Sequence, residues 1–210
     1  MRSKRGSLRR SRLYVILDRD LLKGKDISRV ARASLEGGAD IIQLRAKGPC
    51  AGENLGLALK LARIAKKYGA PFIVNDDLGL AIASGSDGCH LGQGDMNIRA
   101  ARKLLGAGKI IGASCGSISE AVRARAEGAD YLGAGPVFKT PLKKTKAPRS
   151  GRFLSDMKRL GMPFFAIGGI NASNVGKLRA RGVRAVAVIR AVAFARSPRR
   201  AAAGLKEALA

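Results

Sequence analysis

The chain has 210 residues, 46% of them apolar and 4% aromatic, with 40 basic against 15 acidic side chains and a net charge of +25. This length suits one domain with a real hydrophobic core, near the short end for an eight-fold β/α barrel. No apolar run approaches the roughly 18 residues of a membrane helix, and Cys50, Cys89 and Cys115, with no C-x-x-C pair and a single histidine, argue against a disulfide framework or a zinc site.

Residues 1–11 read as a basic, solvated tail, for Arg2, Lys4, Arg5, Arg9 and Arg10 meet no acid there. The apolar run behind it, Leu13–Leu17, stops at Asp18 and is too short for a secretory core, so the cytoplasm is the expected compartment. From residue 12 to 210 short apolar runs alternate with stretches of helical period. The predicted strands are Leu13–Leu17, Asp40–Leu44, Pro71–Val74, Gly88–Leu91, Ile110–Ala113, Tyr131–Ala134, Pro163–Ile167 and Ala185–Ile189. Helical periods fall between them at Ile27–Glu36, Glu53–Tyr68, Ile98–Leu105, Ser119–Glu127 and Val175–Arg181. Glycines at 37–38, 128 and 182 follow three of these helices and lead directly into strands, as C-caps do. Strict alternation predicts a parallel sheet, and eight such units fit a single closed (β/α)₈ TIM barrel better than an open, doubly wound sheet.

In such a barrel, chemistry sits where strands end. The residues that follow the runs are Gln43 to Lys47, Asn75-Asp76-Asp77, Gly92 to Asp95, Ser114, a basic loop from Gly135 to Arg152, Gly168 to Asn171, and Arg190. Cations (Arg45, Lys47, Lys143) thus share a rim with two carboxylates, Asp76 and Asp95. That combination suits Mg²⁺, which takes one or two carboxylates and completes its shell with phosphate oxygens; alternatively the two aspartates cap the helices that follow. Gly168 and Gly169 before a polar Asn171 sit where barrels build a phosphate cradle, or form a plain tight turn. His90, lacking a partner cysteine or second histidine, reads as a hydrogen-bonded packing residue rather than a base. No Ser-His-Asp or Cys-His set can be assembled. A basic surface with few aromatics and no tryptophan makes nucleic acid an unfavoured partner beside small phosphorylated molecules. Assembly into a homo-oligomer is left open.

In this order the rim motifs resemble the thiamine-phosphate synthase family from Leu13 to about Ala195. The matches are Gln-Leu-Arg-x-Lys at Gln43–Lys47, Asn-Asp at Asn75–Asp76, His-Leu-Gly-Gln-x-Asp at His90–Asp95, Ser114, Gly-Pro-Val-Phe-x-Thr at Gly135–Thr140, and Ile-Gly-Gly-Ile at Ile167–Ile170. The resemblance implies a transferase that joins an aminopyrimidine methyl diphosphate to a hydroxyethylthiazole phosphate and releases diphosphate. It implies that Gln43, Leu44, Arg45, Ala46, Lys47, Asn75, Ser114 and Lys143 hold the pyrimidine diphosphate, with Arg45, Lys47, Ser114 and Lys143 closest to the chemistry. Asp76 and Asp95 would bind Mg²⁺, and Thr140, Leu142, Gly169, Ile189 and Arg190 would face the thiazole phosphate. Two positions depart from the family pattern: Leu142 stands where a hydroxyl is usual, and Arg190 where a serine is usual.

Two other readings compete. A thiazole tautomerase of the same superfamily would need no diphosphate site, and the histidine such proteins carry beside the glycine of the sixth strand is Pro136 here. A non-catalytic basic barrel that binds nucleic acid would rest on charge alone.

Overall fold

The computed structural model describes residues 4–48, 51–141, 147–149 and 151–210. In chain order these form α1 (Lys4–Ser7), β1 (Leu13–Asp18), α2 (Ile27–Glu36), β2 (Ile41–Arg45), α3 (Ala51–Lys67), β3 (Phe72–Asn75), α4 (Leu78–Ala83), β4 (Gly88–Leu91), α5 (Ile98–Leu105), β5 (Ile110–Cys115), α6 (Ile118–Ala126), β6 (Tyr131–Ala134), α7 (Gly151–Arg159), β7 (Phe164–Ile167), α8 (Val175–Ala180), β8 (Val186–Val188), α9 (Arg190–Ala193) and α10 (Pro198–Ala208). The strands pair in sequence order, all parallel, and β8 returns to β1 to close the barrel. Every predicted strand is present, its ends shifted by two residues at most. No helix among the described residues is long and apolar enough to cross a membrane.

The strands read as unbroken apolar runs because both faces are covered. On β1, Leu13, Val15 and Leu17 pack outward against helices, while Tyr14 and Ile16 fill the barrel with Ile41, Ile73, Ile110, Tyr131, Phe165 and Ala187. The same alternation turns Leu44 outward, fully buried under the helices, and packs Ala46 against that outer layer. The side chains of these two residues therefore cannot line a ligand site in the barrel, contrary to the sequence expectation, and only their backbone is left to do so.

The bottom of the barrel is built by a recurring device. Gly38 and Gly128 take φ of 92° and 95°, reversing the chain after α2 and α6. The aspartate that follows each reaches back to the start of the preceding strand: Asp40 accepts from Leu13 N–H (2.9 Å) and Asp130 from Ile111 N–H (2.8 Å). Asp87 does the same for Phe72 N–H at 2.9 Å. Edge donors that a strand start leaves unpaired are thus satisfied by charge-assisted bonds.

Residues 4–11 depart from expectation. Rather than a solvated tail, they include the helical turn α1 and bury Leu8 to 3% exposure against the inward side chains of the strands. Leu8 closes the lower end of the barrel because the inward residues there leave an apolar opening.

Candidate active site

A cavity of about 530 Å³ opens at the C-terminal ends of the strands. Gln43, Arg45, Asn75, Ser114, Thr140, Gly169, Ile189 and Arg190, eight of the residues expected at the site, line it together. Lys47, Asp76 and Asp95 lie beside it on neighbouring strand ends, while Leu142 and Lys143 fall outside the described residues.

Arg45 is held from below. Asp18, at the end of β1 and fully buried, pairs with the Arg45 guanidinium and also accepts from Leu21 N–H at 3.1 Å. A buried carboxylate persists only when paired and hydrogen-bonded, so this one fixes where the Arg45 charge sits. In sequence Asp18 reads only as the end of an apolar run. Its function became visible once β1 and β2 were set in register, Asp18 opposite Arg45.

The turn after β3 is tight. Asp77 N–H bonds the Asn75 carbonyl at 2.7 Å across Asp76, whose φ of 64° lies in the left-handed region, and Asp76 N–H is anchored to the His90 carbonyl at 2.8 Å. Asp is among the few non-glycine residues that tolerate this conformation. The helix caps fall elsewhere: Asp77 caps α4 through Leu80 N–H (2.8 Å) and Asn97 caps α5 through Arg99 N–H (2.9 Å). Asp76 is therefore not a helix cap, and Asp95 bonds Gly92 N–H at 2.6 Å within its own turn.

Burial, and then the Asp95 carboxylate beside it, push Asp76 up to about 6, against the pull of Lys47, whose Nζ lies 3.5 Å from Asp76 Oδ2. Two hard oxygen donors that repel each other at a rim of cations are what a Mg²⁺ ion would relieve, and the residues fit that ion. No third metal-ligating side chain joins them among the described residues.

Deeper in the barrel His90 bonds Tyr131 Oη through Nδ1 and Ser114 Oγ through Nε2, both at 3.0 Å. Cys89 and Cys115 are buried free thiols that burial pushes up to about 12. Toward the mouth, Gly168 and Gly169 take φ of 106° and 65°; a Cβ on Gly169 would fall 2.3 Å from the Lys139 carbonyl oxygen. The Gly-Gly pair is thus required for the loop after β6 to cross over β7, where Phe138 N–H bonds the Gly168 carbonyl at 3.0 Å. Asn171 does not open the helix. Its Oδ1 accepts from Ser173 N–H at 2.9 Å, and α8 begins four residues later. At the end of β8, Arg190 is exposed and lies 5.6 Å from the Phe194 ring centre, a cation–π distance. Lys139, Phe194 and Pro136 also line the cavity.

The fold and site define a (β/α)₈ barrel whose mouth is built for phosphorylated ligands. Residues 13–192 match the family described as thiamine monophosphate synthase, and the chain belongs to that family. Thiamine-phosphate synthases of Methanoculleus marisnigri and Methanospirillum hungatei are 42% and 45% identical over 202 and 182 residues, covering 94% and 86% of this chain and 95% and 88% of theirs. A thiamine phosphate pyrophosphorylase from Pyrococcus furiosus superposes with a TM-score of 0.86 at 36% identity over 96% of both chains. A 3-hexulose-6-phosphate synthase, at 21% identity and a TM-score of 0.67, shares the barrel alone.

Proposed function

We propose that the chain is a Mg²⁺-dependent transferase joining 4-amino-2-methyl-5-(diphosphooxymethyl)pyrimidine to 4-methyl-5-(2-phosphooxyethyl)thiazole, yielding thiamine phosphate and diphosphate. The observation that carries this reading is the graded chemistry of one cavity. Its floor holds neutral hydrogen-bonding side chains (Gln43, Asn75, Ser114), one wall holds a pinned cation (Arg45), a carboxylate pair stands beside it, and its outer end is basic and glycine-lined.

In the reaction the bond between the pyrimidine methylene carbon and the diphosphate oxygen breaks, its electron pair leaving on diphosphate, and the thiazole nitrogen lone pair forms the new carbon–nitrogen bond. No proton moves, so no general base is required. Gln43, Asn75 and Ser114 orient the pyrimidine. Arg45 and Lys47, with Lys143, meet the charge that grows on the leaving group, a preorganised electrostatic contribution. Mg²⁺ held by Asp76 and Asp95 would add positive charge at the same oxygens. Thr140, Gly169 and Ile189 receive the acceptor, and Arg190 offers its phosphate a charged fork in place of a hydroxyl.

The test is a coupling assay with both substrates, following thiamine phosphate and diphosphate with and without chelator. Mg²⁺-dependent, stoichiometric release of both products supports the reading. Binding of the pyrimidine diphosphate without coupling would replace the acceptor assignment, and absence of both would end it.

A further inference from the structure

The interior of the barrel carries a polar chain that runs from one wall to the other. Gln43 Nε2 on β2 donates to Tyr14 Oη at 2.7 Å, Tyr14 and Tyr131 share a hydroxyl–hydroxyl bond at 2.9 Å, Tyr131 Oη meets His90 Nδ1 at 3.0 Å, and His90 Nε2 meets Ser114 Oγ on β5 at 3.0 Å. Its two ends, Gln43 and Ser114, both line the main cavity. The barrel makes room for it at a cost in side chains elsewhere. A Cβ on Gly112 would lie 2.1 Å from Tyr131 Cζ and 2.5 Å from His90 Nδ1, and one on Gly133 3.1 Å from His90 Cε1. Both tyrosine rings also meet Phe165 edge-on, with centroids 5.2 and 5.6 Å away.

Proton counting gives the chain a direction. With Gln43 Nε2 donating to Tyr14 Oη, the Tyr14 hydroxyl donates to Tyr131 Oη, and the Tyr131 hydroxyl donates to His90 Nδ1. Nδ1 then accepts, Nε2 carries the ring proton and donates it to Ser114 Oγ, and the Ser114 hydroxyl proton is left to point into the cavity. Burial raises both phenols above their ordinary range, so each keeps the proton it must donate. Reversing the Gln43 amide would reverse every bond, make Ser114 the donor to His90, and leave only its lone pairs facing the cavity.

We propose, resting on the function given above, that Tyr14, Tyr131 and His90 form a proton-ordered chain that holds Ser114 as a donor and Gln43 Oε1 as an acceptor toward the aminopyrimidine. Tyr131 and Tyr14 are positioning residues in this scheme. An aminopyrimidine edge offers an amine donor beside ring-nitrogen acceptors, the complement of the pair the chain fixes. Specificity for the pyrimidine is therefore set partly from the far side of the barrel axis.

His90 is the single histidine of the chain, so ¹⁵N NMR of uniformly labelled protein reads its ring without ambiguity. The expected spectrum is a neutral ring protonated at Nε2, and Tyr131→Phe, which keeps the ring and removes the hydroxyl, is expected to abolish that bias. The same variant should bind pyrimidine diphosphate about tenfold more weakly, the size of one hydrogen bond, and bind inorganic diphosphate as the parent does. Tyr14→Phe serves as a second variant with the same signature. A ring protonated at Nδ1 in the parent protein overturns the direction. Unchanged tautomer and unchanged pyrimidine diphosphate affinity in both variants overturn the chain. If the parent protein binds no pyrimidine diphosphate, the functional reading fails, and the NMR measurement still decides the order of the protons.

Discussion

Asp18 and Arg45 meet at adjacent strand ends, the carboxylate fully buried and the guanidinium partly exposed at the cavity wall. Asp18→Asn keeps the shape and removes the charge. Loss of a charge-assisted bond should cost about 1–3 kcal/mol of stability. The freed Arg45 should raise the Kd for inorganic diphosphate on the order of tenfold, the scale of 1.4 kcal/mol. Calorimetric titration with diphosphate checks this, and an unchanged Kd would show that Arg45 is positioned without Asp18.

The carboxylate pair gives a pH prediction. Asp76 ordinarily titrates near 3.8 and is raised to about 6 in the folded protein, so folding takes up a proton there. Its contribution to stability is fully present below about 3.8 and is lost as pH rises through about 6. Mg²⁺ held there, as proposed, would act in the opposite sense because it favours the ionised form. Thermal melts should therefore show a Mg²⁺-induced rise in Tm at pH 7.5 that fades at pH 5. Asp76→Asn, which tolerates the same left-handed backbone, should remove that rise. An equal rise at both pH values would place the ion elsewhere.

Glycines divide into two kinds. Gly112 faces Tyr131 and His90, so Gly112→Ala forces a methyl into occupied space and should destabilise by about 3 kcal/mol or more. Gly56, exposed on α3 with nothing within 4 Å of its missing Cβ, should become about 0.5–1 kcal/mol more stable as alanine. Denaturant unfolding of the two variants measures both effects.

Leu8 closes the barrel, and Leu8→Ala should cost about 2–3 kcal/mol, the scale of a buried leucine truncation. A solvated tail would make the substitution neutral, so urea midpoints separate the two pictures.

In the proposed reaction Arg190 takes the place of a hydroxyl at the acceptor end. Arg190→Ala should raise KM for the thiazole phosphate about tenfold while leaving the affinity for pyrimidine diphosphate unchanged, as expected for a lost ionic contact to one substrate only. A matching loss for both substrates would move Arg190 from the acceptor to the common scaffold.

Much of this was legible in the sequence because parallel barrels write their periodicity plainly: buried strands, intervening helices and polar residues just past strand ends. Gln43, Arg45, Asn75 and Ser114 could be read in that way. Leu44 and Ala46 could not, since a motif names consecutive residues while a strand sends alternate ones to opposite faces. Asp18, Tyr14 and Tyr131 were missed for a related reason. Their roles arise from partners 27, 29 and 117 residues away, brought together by register and barrel closure. Leu8 was hidden among arginines, whose charge made its surroundings look like a solvated tail.

The seal that Leu8 forms has a kinetic corollary. With the base closed, everything that reaches Gln43 and Ser114 must come across the rim where the strands end. The side from which substrates arrive and products depart would then be a property of the architecture, set at the opposite end of the barrel from the chemistry.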